Sequence, residues 1–392
     1  MRKHFIHSSV RSVVSFFLLL FMSLFLMTCS GGCGGGSNAV NDGMSGAPDT
    51  SGLIVKGPGH SLADGEVILT EAGDYDVSGV LSDGCLVIDT SSQEVNVNLS
   101  GVTIANSSGP AIFAKSASLV RLILSEGTVN AVSDGGADAD RDAAIFSSVP
   151  LEIGGGGSLV AVGNCQEGIA SDSTLTISGG DIRVSAVDDG LNAGEGIVID
   201  GGYLYVDAIG DGIDSNANLT INGGTVIAMG GPDNGGLDAG DGFRLLINGG
   251  LVIGTGDNNA RADESSAQKV LSLNFGAAQP SGTTIHIADK QGAALVTYKT
   301  GRDCRGFIFS SPSLQSGVAY NVYTGGTSDG TERDGLYDTE ASYTGGSKET
   351  YSSQSGGEEE DFILSGTVGE FNIGDTFGSG GGGPGGGPRP RF

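Results

Sequence analysis

Acidic and amide side chains recur at matched positions in one part of the chain. Glu167, Asp189 and Asp211 are evenly spaced along it. One position earlier in the same turns come Asp188 and Asn234, and three positions later come Asn192, Asp214 and Asp238. Asn258 and Asn259, eight and nine residues past Gly250, fall in the same turn. A repeated set of oxygen ligands is suited to gathering hard cations. Calcium takes six to eight oxygens at about 2.3–2.6 Å, so one ion can bridge carboxylates that sit about 4.8 Å apart on neighbouring strands. Without a cation such neighbours repel by roughly 1–3 kcal/mol each, at an effective dielectric between water and 20. The expected metal ligands are Glu167, Asp188, Asp189 and Asn192 in one group and Asp211, Asp214 and Asp238 in the next, with calcium as the cofactor. The alternative is that Asp, Asn and Gly recur because turns favour them. That covers single residues such as Asp172 or Asp200 better than acids that return in columns. The nonapeptide calcium repeat is excluded, because GGLDAGDGF (235–243) lacks the fourth-position Gly and does not recur.

The elements that must hold these residues show the same period. EGIASDSTLTISGGDIRVSAV (167–187), DGLNAGEGIVIDGGYLYVDAI (189–209) and DGIDSNANLTINGGTVIAMGG (211–231) nearly repeat, and Gly179-Gly180, Gly201-Gly202 and Gly223-Gly224 keep the same even spacing. A fixed period of about 22 residues marks a solenoid, and apolar residues at every second position mark strands. The expected fold is all-β, a parallel β-helix over residues 53–265. Looser copies precede the regular part: Ala144-Ile145-Phe146 and Leu151-Glu152-Ile153 lie slightly more than one period before Gly168-Ile169-Ala170 and Leu175-Thr176-Ile177. Gly249-Gly250 follows Gly223-Gly224 at a wider spacing, with an insertion around Gly231–Gly235. The helix then spans Gly65 to Asp263 in about eight or nine coils. Ile177, Ile199, Ile221 and Ile247 should form one internal ladder, and Ile169, Leu191, Ile213 and Leu237 another. Residues 266–326 read as a β extension or cap, 327–377 as an acidic loop with terminal strands, and 378–392 as a disordered Gly/Pro tail.

The start of the chain carries Arg2, Lys3 and Arg11 ahead of an apolar run from Val13 to Met27 and then Cys29. This is the pattern of a secretory signal, here of bacterial lipoprotein type with Cys29 lipidated, although Met27 and Thr28 are unusual before that cysteine. An uncleaved anchor helix is the alternative. Either places the rest outside the cytoplasm, at the cell surface or outer membrane, behind a flexible tether over residues 29–52. Removing residues 1–28, with three basic and no acidic side chains, takes the net charge from −27 to −30. Such a chain does not seek nucleic acid or anionic lipid, so membrane contact is expected only through the lipid. A monomer is expected. Cys33, Cys85, Cys165 and Cys304 are too scattered for a disulfide scaffold or a zinc site, and Cys85 and Cys165 read as buried free thiols.

No Lys occurs between Lys115 and Lys269, the candidate bases in the body are Arg121, Arg141, Arg183 and Arg244, and His60 and His286 lie outside the repeats. No nucleophile elbow, zinc motif or phosphate loop is present. No catalytic residue is assigned. Tyr203 and Tyr205 could stack on a sugar; the simpler expectation is that one is partly buried and the other exposed.

The runs VNVNLSGVTIANSSGPAIFAKSASLVRLILSEGTVNAVSDG (95–135), AAIFSSVPLEIGGGGSLVAVGN (143–164), DDGLNAGEGIVIDGG (188–202), GDGIDSNANLTINGGTVIA (210–228) and FIFSSPSLQSGVAYNVYTGG (307–326) resemble a family of secreted bacterial carbohydrate-binding proteins. The resemblance covers residues 65–375. It implies a right-handed parallel β-helix that binds calcium and an acidic polysaccharide, notably polygalacturonate. The family is in turn similar in fold to calcium-dependent pectate lyases. Glu167, Asp188-Asp189 and Asn192 resemble the lyase ligand set, with Asn192 in place of the third acid. The next coil has Asp211 and Asp214 but Gly210. Lyases of that type use a Lys as base, which this region lacks, and an Arg base would need a strongly lowered pKa. The expected function is calcium-dependent binding of acidic polysaccharide. A polysaccharide lyase and a structural adhesin or spacer rigidified by calcium are the alternatives.

Overall fold

A computed structural model describes residues 52–63, 65–91, 93–136, 141–353 and 357–374. The expected signal sequence, Cys29, Cys33 and the Gly/Pro tail lie outside the described residues. The described residues form strands and turns and no helix.

The fold is the expected parallel β-helix. Its first face stacks Glu66–Leu69, Cys85–Asp89, Ile112–Ser116, Ala143–Ser147, Glu167–Ser171, Leu191–Ala193, Ile213–Ser215 and Leu237–Ala239, which makes eight rungs. The second face begins with the first halves of Gly73–Leu81 and Glu94–Ala105. It continues through Leu119–Leu124, Leu151–Gly155, Thr174–Ile177, Gly196–Ile199, Leu219–Ile221 and Leu245–Ile247. The third face starts from the second halves of the same two long strands. Val129–Ser133, Ser158–Gly163, Asp181–Ala186, Tyr203–Ala208, Thr225–Met229 and Leu251–Gly256 follow.

The internal ladders fall where the period puts them. Ile177 pairs with Ile199, Ile199 with Ile221 and Ile221 with Ile247. Ile169, Leu191, Ile213 and Leu237 pair in the same way on the first face. All eight are essentially inaccessible to solvent. Each such side chain contributes about 1.5–3 kcal/mol by burial, and a coil realises this only because the rung on either side covers it. The bend between the second and third faces uses the glycine pairs. Gly202 (φ 86°) and Gly224 (φ 83°) are left-handed, and a Cβ on either would lie within 3 Å of backbone in the rung below. No other residue fits that bend without strain.

Both ends are closed by a change of strand direction. At the N-terminal end Gly52–Lys56 pairs antiparallel with Gly73–Leu81, and His60–Ala63 pairs antiparallel with Glu66–Leu69. At the other end Leu251–Gly256 pairs antiparallel with Cys304–Ser310. That strand also pairs with Val270–Gln279, which runs parallel to Val368–Ile373. A separate antiparallel sheet contains Thr284–Asp289, Ala294–Lys299, Ala319–Ser328 and Tyr343–Lys348. Polar residues 327–361 therefore hold short strands (Glu332–Arg333, Leu336–Tyr337, Tyr343–Lys348, Tyr351–Ser352, Glu358–Glu359) where a long loop was expected. Their outward residues are polar because the strands lie at the surface of the sheet.

This C-terminal part has its own core of Leu271, Leu273, Ile285, Ile287, Tyr298, Phe307 and Phe309, which includes the outward-pointing Ile227 and Ile253 of the third face. Tyr203 and Tyr205 pack against the same core, and both are half-buried. Of the expected pair, one partly buried and one exposed, the exposed member fails because residues two apart on a strand share a face. Cys85 and Cys304 are buried free thiols, whereas Cys165 is only half-buried.

Candidate functional site

The acidic residues sit where the third face turns back into the first. Their backbones stack one rung apart: Gly168 N–H donates to Asp189 O (3.0 Å), Gly190 N–H to Asp211 O (2.9 Å) and Gly212 N–H to Gly235 O (2.9 Å). On the first face Asn192 pairs with Asp214, and Asp214 with Asp238. Asp189, Asn192, Asp211, Asp214 and Asp238 are half-buried, as is Glu167, and Asp188 is exposed beside them.

The side chains link the rungs. Asn192 Nδ2 donates to Asp214 Oδ2 at 2.9 Å and to Asp189 Oδ2 at 3.3 Å. Asp189 Oδ1 accepts the Asp211 N–H at 2.7 Å, and Asp211 Oδ1 accepts the Gly235 N–H at 2.5 Å. Asn259 Oδ1 repeats the device, accepting the N–H groups of Gly236 (2.8 Å) and Leu237 (3.2 Å). For Asp189 and Asp211, one oxygen thus caps the backbone of the next rung. Gly210 lets the turn close over the acids. A Cβ there would stand 2.4 Å from Asp189 Oδ1 and 2.6 Å from Asp188 Oδ1.

Burial and mutual repulsion make these carboxylates hard to ionise. Asp214 is pushed up to about 7 by burial, with Asp189, Asp211 and Asp238 adding to it. Asp211 is also pushed up to about 7, mainly by burial, although the Gly235 N–H opposes the shift. Asp189 rises to about 6 through burial, with the Asp211 N–H opposing and Asp188 assisting. Glu167 rises to about 9 through burial, with Asp142 repelling it, and its Oε2 is enclosed without a hydrogen-bond partner. Burial also raises Asp238, against the pull of the Ala239 N–H.

The expected ligands are spread along the helix axis and do not surround a point. Among the described residues, no three His, Cys, Asp or Glu side chains form a ready metal cluster. The donor set is nonetheless one of hard oxygens, and calcium also accepts amide and backbone oxygens. The orphaned Glu167 oxygen and the crowded acids therefore fit a cation of that kind.

The arginines have other partners. Arg183 pairs with Asp181 (2.5 Å) and Asp334 (2.9 Å), while Tyr203 donates its hydroxyl to the same Asp334 oxygen (2.9 Å). Arg333 pairs with Asp181 at 2.7 Å and lies 3.5 Å above the Tyr203 ring. Burial works to lower the Arg183 pKa, but Asp181 and Asp334 outweigh it and raise the value. Arg183 is a charged strut between the helix and the C-terminal part, and Arg244 lies 3.6 Å from Asp263. A further buried acid, Asp134, accepts the Asn164 N–H at 2.5 Å and is pushed up to about 6 by burial. The insertion at 135–142 breaks the period and hides it from a register count. The Val132-Ser133-Asp134 step after an alternating strand was the available signal.

A family model described as "Carbohydrate-binding domain-containing protein" matches residues 63–356. A curated protein of the same description from Acetivibrio thermocellus is 31% identical over 186 residues, which is 43% of this chain and 65% of that one. The chain thus covers slightly less than two thirds of that relative. A solved structure of the polysaccharide lyase-like protein from C. thermocellum, as a gadolinium derivative, is also similar. It is 28% identical with a TM-score of 0.45, over 54% of this chain and 86% of that one. Because the family match runs through the β-helix and into the C-terminal sheet, this chain belongs to the carbohydrate-binding domain-containing family.

Proposed function

We propose that this protein holds an acidic polysaccharide of the polygalacturonate type through calcium, at the cell surface, anchored by a lipid on Cys29. The observation that carries the reading is the stack of Asp189, Asp211 and Asp214 on adjacent rungs, with Asn192 bridging Asp189 and Asp214. Carboxylates raised by burial and by one another's charge gain most from a divalent cation. A cation on the stack with open coordination positions can take a uronate oxygen. This explains how a chain of charge −27 meets a polyanion. The test is affinity for polygalacturonate with calcium and with chelator. Binding that survives chelation overturns the calcium mechanism. Incorporation of labelled palmitate, and its loss in Cys29→Ser, checks the anchor.

A second reading has its own support. The oxygens of Asp189 and Asp211, which cap the next rung, and of Asn259, which caps the rung before it, also stiffen the helix, as a calcium-rigidified adhesin or spacer would need. In that case chelation lowers the melting temperature while no polysaccharide binds. For the lyase alternative, Arg183 is held protonated by two aspartates, which speaks against its acting as a base. Release of unsaturated uronate products absorbing in the ultraviolet would restore that alternative.

A further inference from the structure

We infer that Phe243, with Arg244 beside it, is the sugar-stacking contact for the polysaccharide, placed at the C-terminal end of the carboxylate stack. The inference rests on the carbohydrate-binding reading and adds to it the residues that touch the polymer. Among the described Phe and Tyr rings, Phe243 alone is exposed, at 53%. The others are buried in the helix or in the C-terminal core, or half-buried against a neighbour. A pyranose ring presents a face of C–H groups to an aromatic ring and its hydroxyls to polar groups at the rim. Phe243 is the one described Phe or Tyr ring that offers such a bare face.

The ring is also held in place. Phe243 N–H donates to Gly240 O at 2.8 Å, and Gly240 N–H donates to Ser215 O at 2.7 Å. Arg244 N–H donates to Asn218 Oδ1 at 2.9 Å, and Arg244 O accepts the Leu219 N–H at 3.0 Å. The turn is thus pinned to the rung below on both sides of Phe243. Gly242 sits at φ 81° with open space around it, and a Cβ on Gly240 would stand 3.2 Å from Phe243 Cδ2. One edge of the ring therefore rests on Gly240. An isolated surface phenylalanine needs no explanation by itself. A ring whose backbone is pinned on both sides, beside an exposed cation, needs little backbone ordering on binding.

Position and charge complete the argument. Asp238, the last member of the first-face column, is two residues from Gly240. Arg244 is 60% exposed and only loosely paired with Asp263 at 3.6 Å. A polymer of acidic pyranoses lying along the acid stack can place one ring on Phe243 and the carboxylate of that sugar or its neighbour on Arg244. A neutral glucan would use the ring but not the arginine.

The chain contains no Trp, so Phe243→Trp introduces a single reporter at this turn. Polygalacturonate added in calcium should quench or blue-shift its emission over the range in which the unaltered chain binds. Phe243→Ala should weaken binding about tenfold or more, equivalent to about 1.4 kcal/mol, with an unchanged melting temperature because the side chain is exposed. Arg244→Gln should narrow the preference for polygalacturonate over its methyl ester. If the unaltered chain binds and Phe243→Ala binds equally well, with the Trp emission unmoved, the contact lies elsewhere and the binding function stands. If the unaltered chain binds no polygalacturonate in calcium, the functional reading falls and this inference falls with it.

Discussion

Asp214→Asn removes one negative charge from the middle of the stack and keeps the shape of the side chain. Asn192 Nδ2 can still donate to an amide oxygen at that place. Asp214 stands at about 7 in the fold against an ordinary value near 3.8. A carboxylate raised on folding adds stability at low pH and loses it as the pH climbs from about 4 through about 7. A rise of that size corresponds to about 4 kcal/mol, an upper bound because neighbouring acids share the same shift. With calcium chelated at pH 8, the substitution should therefore stabilise the protein by about 1–2 kcal/mol, since most of the strain is shared. In saturating calcium the sign should reverse, because a ligand has been lost. Thermal melts of both proteins at pH 5.5 and pH 8, with chelator and with calcium, supply the measurements needed. In chelator the unaltered chain should melt lower at pH 8 than at pH 5.5, and Asp214→Asn should narrow that gap. A destabilised Asp214→Asn in chelator at pH 8 would refute the claim that the acids repel one another. An equal response of both proteins to calcium would refute the claim that Asp214 helps to hold it.

Three further outcomes are expected. Ile199→Ala should cost about 2–5 kcal/mol, read by denaturant unfolding, because Ile199 is fully enclosed between Ile177 and Ile221; a loss below about 1 kcal/mol would mean that the rungs close over the gap. Asp334→Ala should cost about 2–4 kcal/mol and expose the C-terminal sheet to limited proteolysis, because Arg183, Arg333 and Tyr203 converge on that carboxylate; wild-type resistance would show that the apolar interface suffices. His286 is pushed down to about 4 by burial, with Thr297 Oγ1 2.8 Å from its Nδ1 and Tyr343 stacked on its ring. The unfolded chain binds a proton near 6.5 that the fold refuses, so up to roughly 2–3 kcal/mol of stability should be lost between about pH 6.5 and 4. His286→Gln should remove that part of the slope, and an unchanged slope would show that the ring ionises in place.

The β-helix was legible because each rung restates the same sentence of sequence. An even period with glycine pairs and alternating Ile and Leu fixes the register, and the ladders of Ile199 and Leu191 follow by counting. The placement of Asn192, Asp214 and Asp238 in one column follows from the same count. Contacts that join distant parts of the chain were not legible. Arg183 and Asp334 are 151 residues apart, and Asp207 meets Arg302 across 95. The C-terminal sheet has no period from which such pairings could be deduced. The half-burial of Tyr203 and Tyr205 is of the same kind, because the sheet that covers them arrives later in the chain. Phe243 stands in a turn, where alternation says nothing about which side chains are covered.

The reversed strands at the two ends of the helix have a consequence for its length. Neither cap strand pairs with the middle coils, and each middle coil pairs only with its neighbours. A coil duplicated in frame, for example residues 189–210, would slide in as one more rung of about 4.8 Å. It would carry its own copies of Asp189 and Asn192 and leave the cap strand pairings intact, while moving Arg183 one rung away from Asp334. The protein is in this sense a ruler with detachable graduations: its reach can be set in whole coils, and each added graduation brings one more set of acidic and amide oxygens.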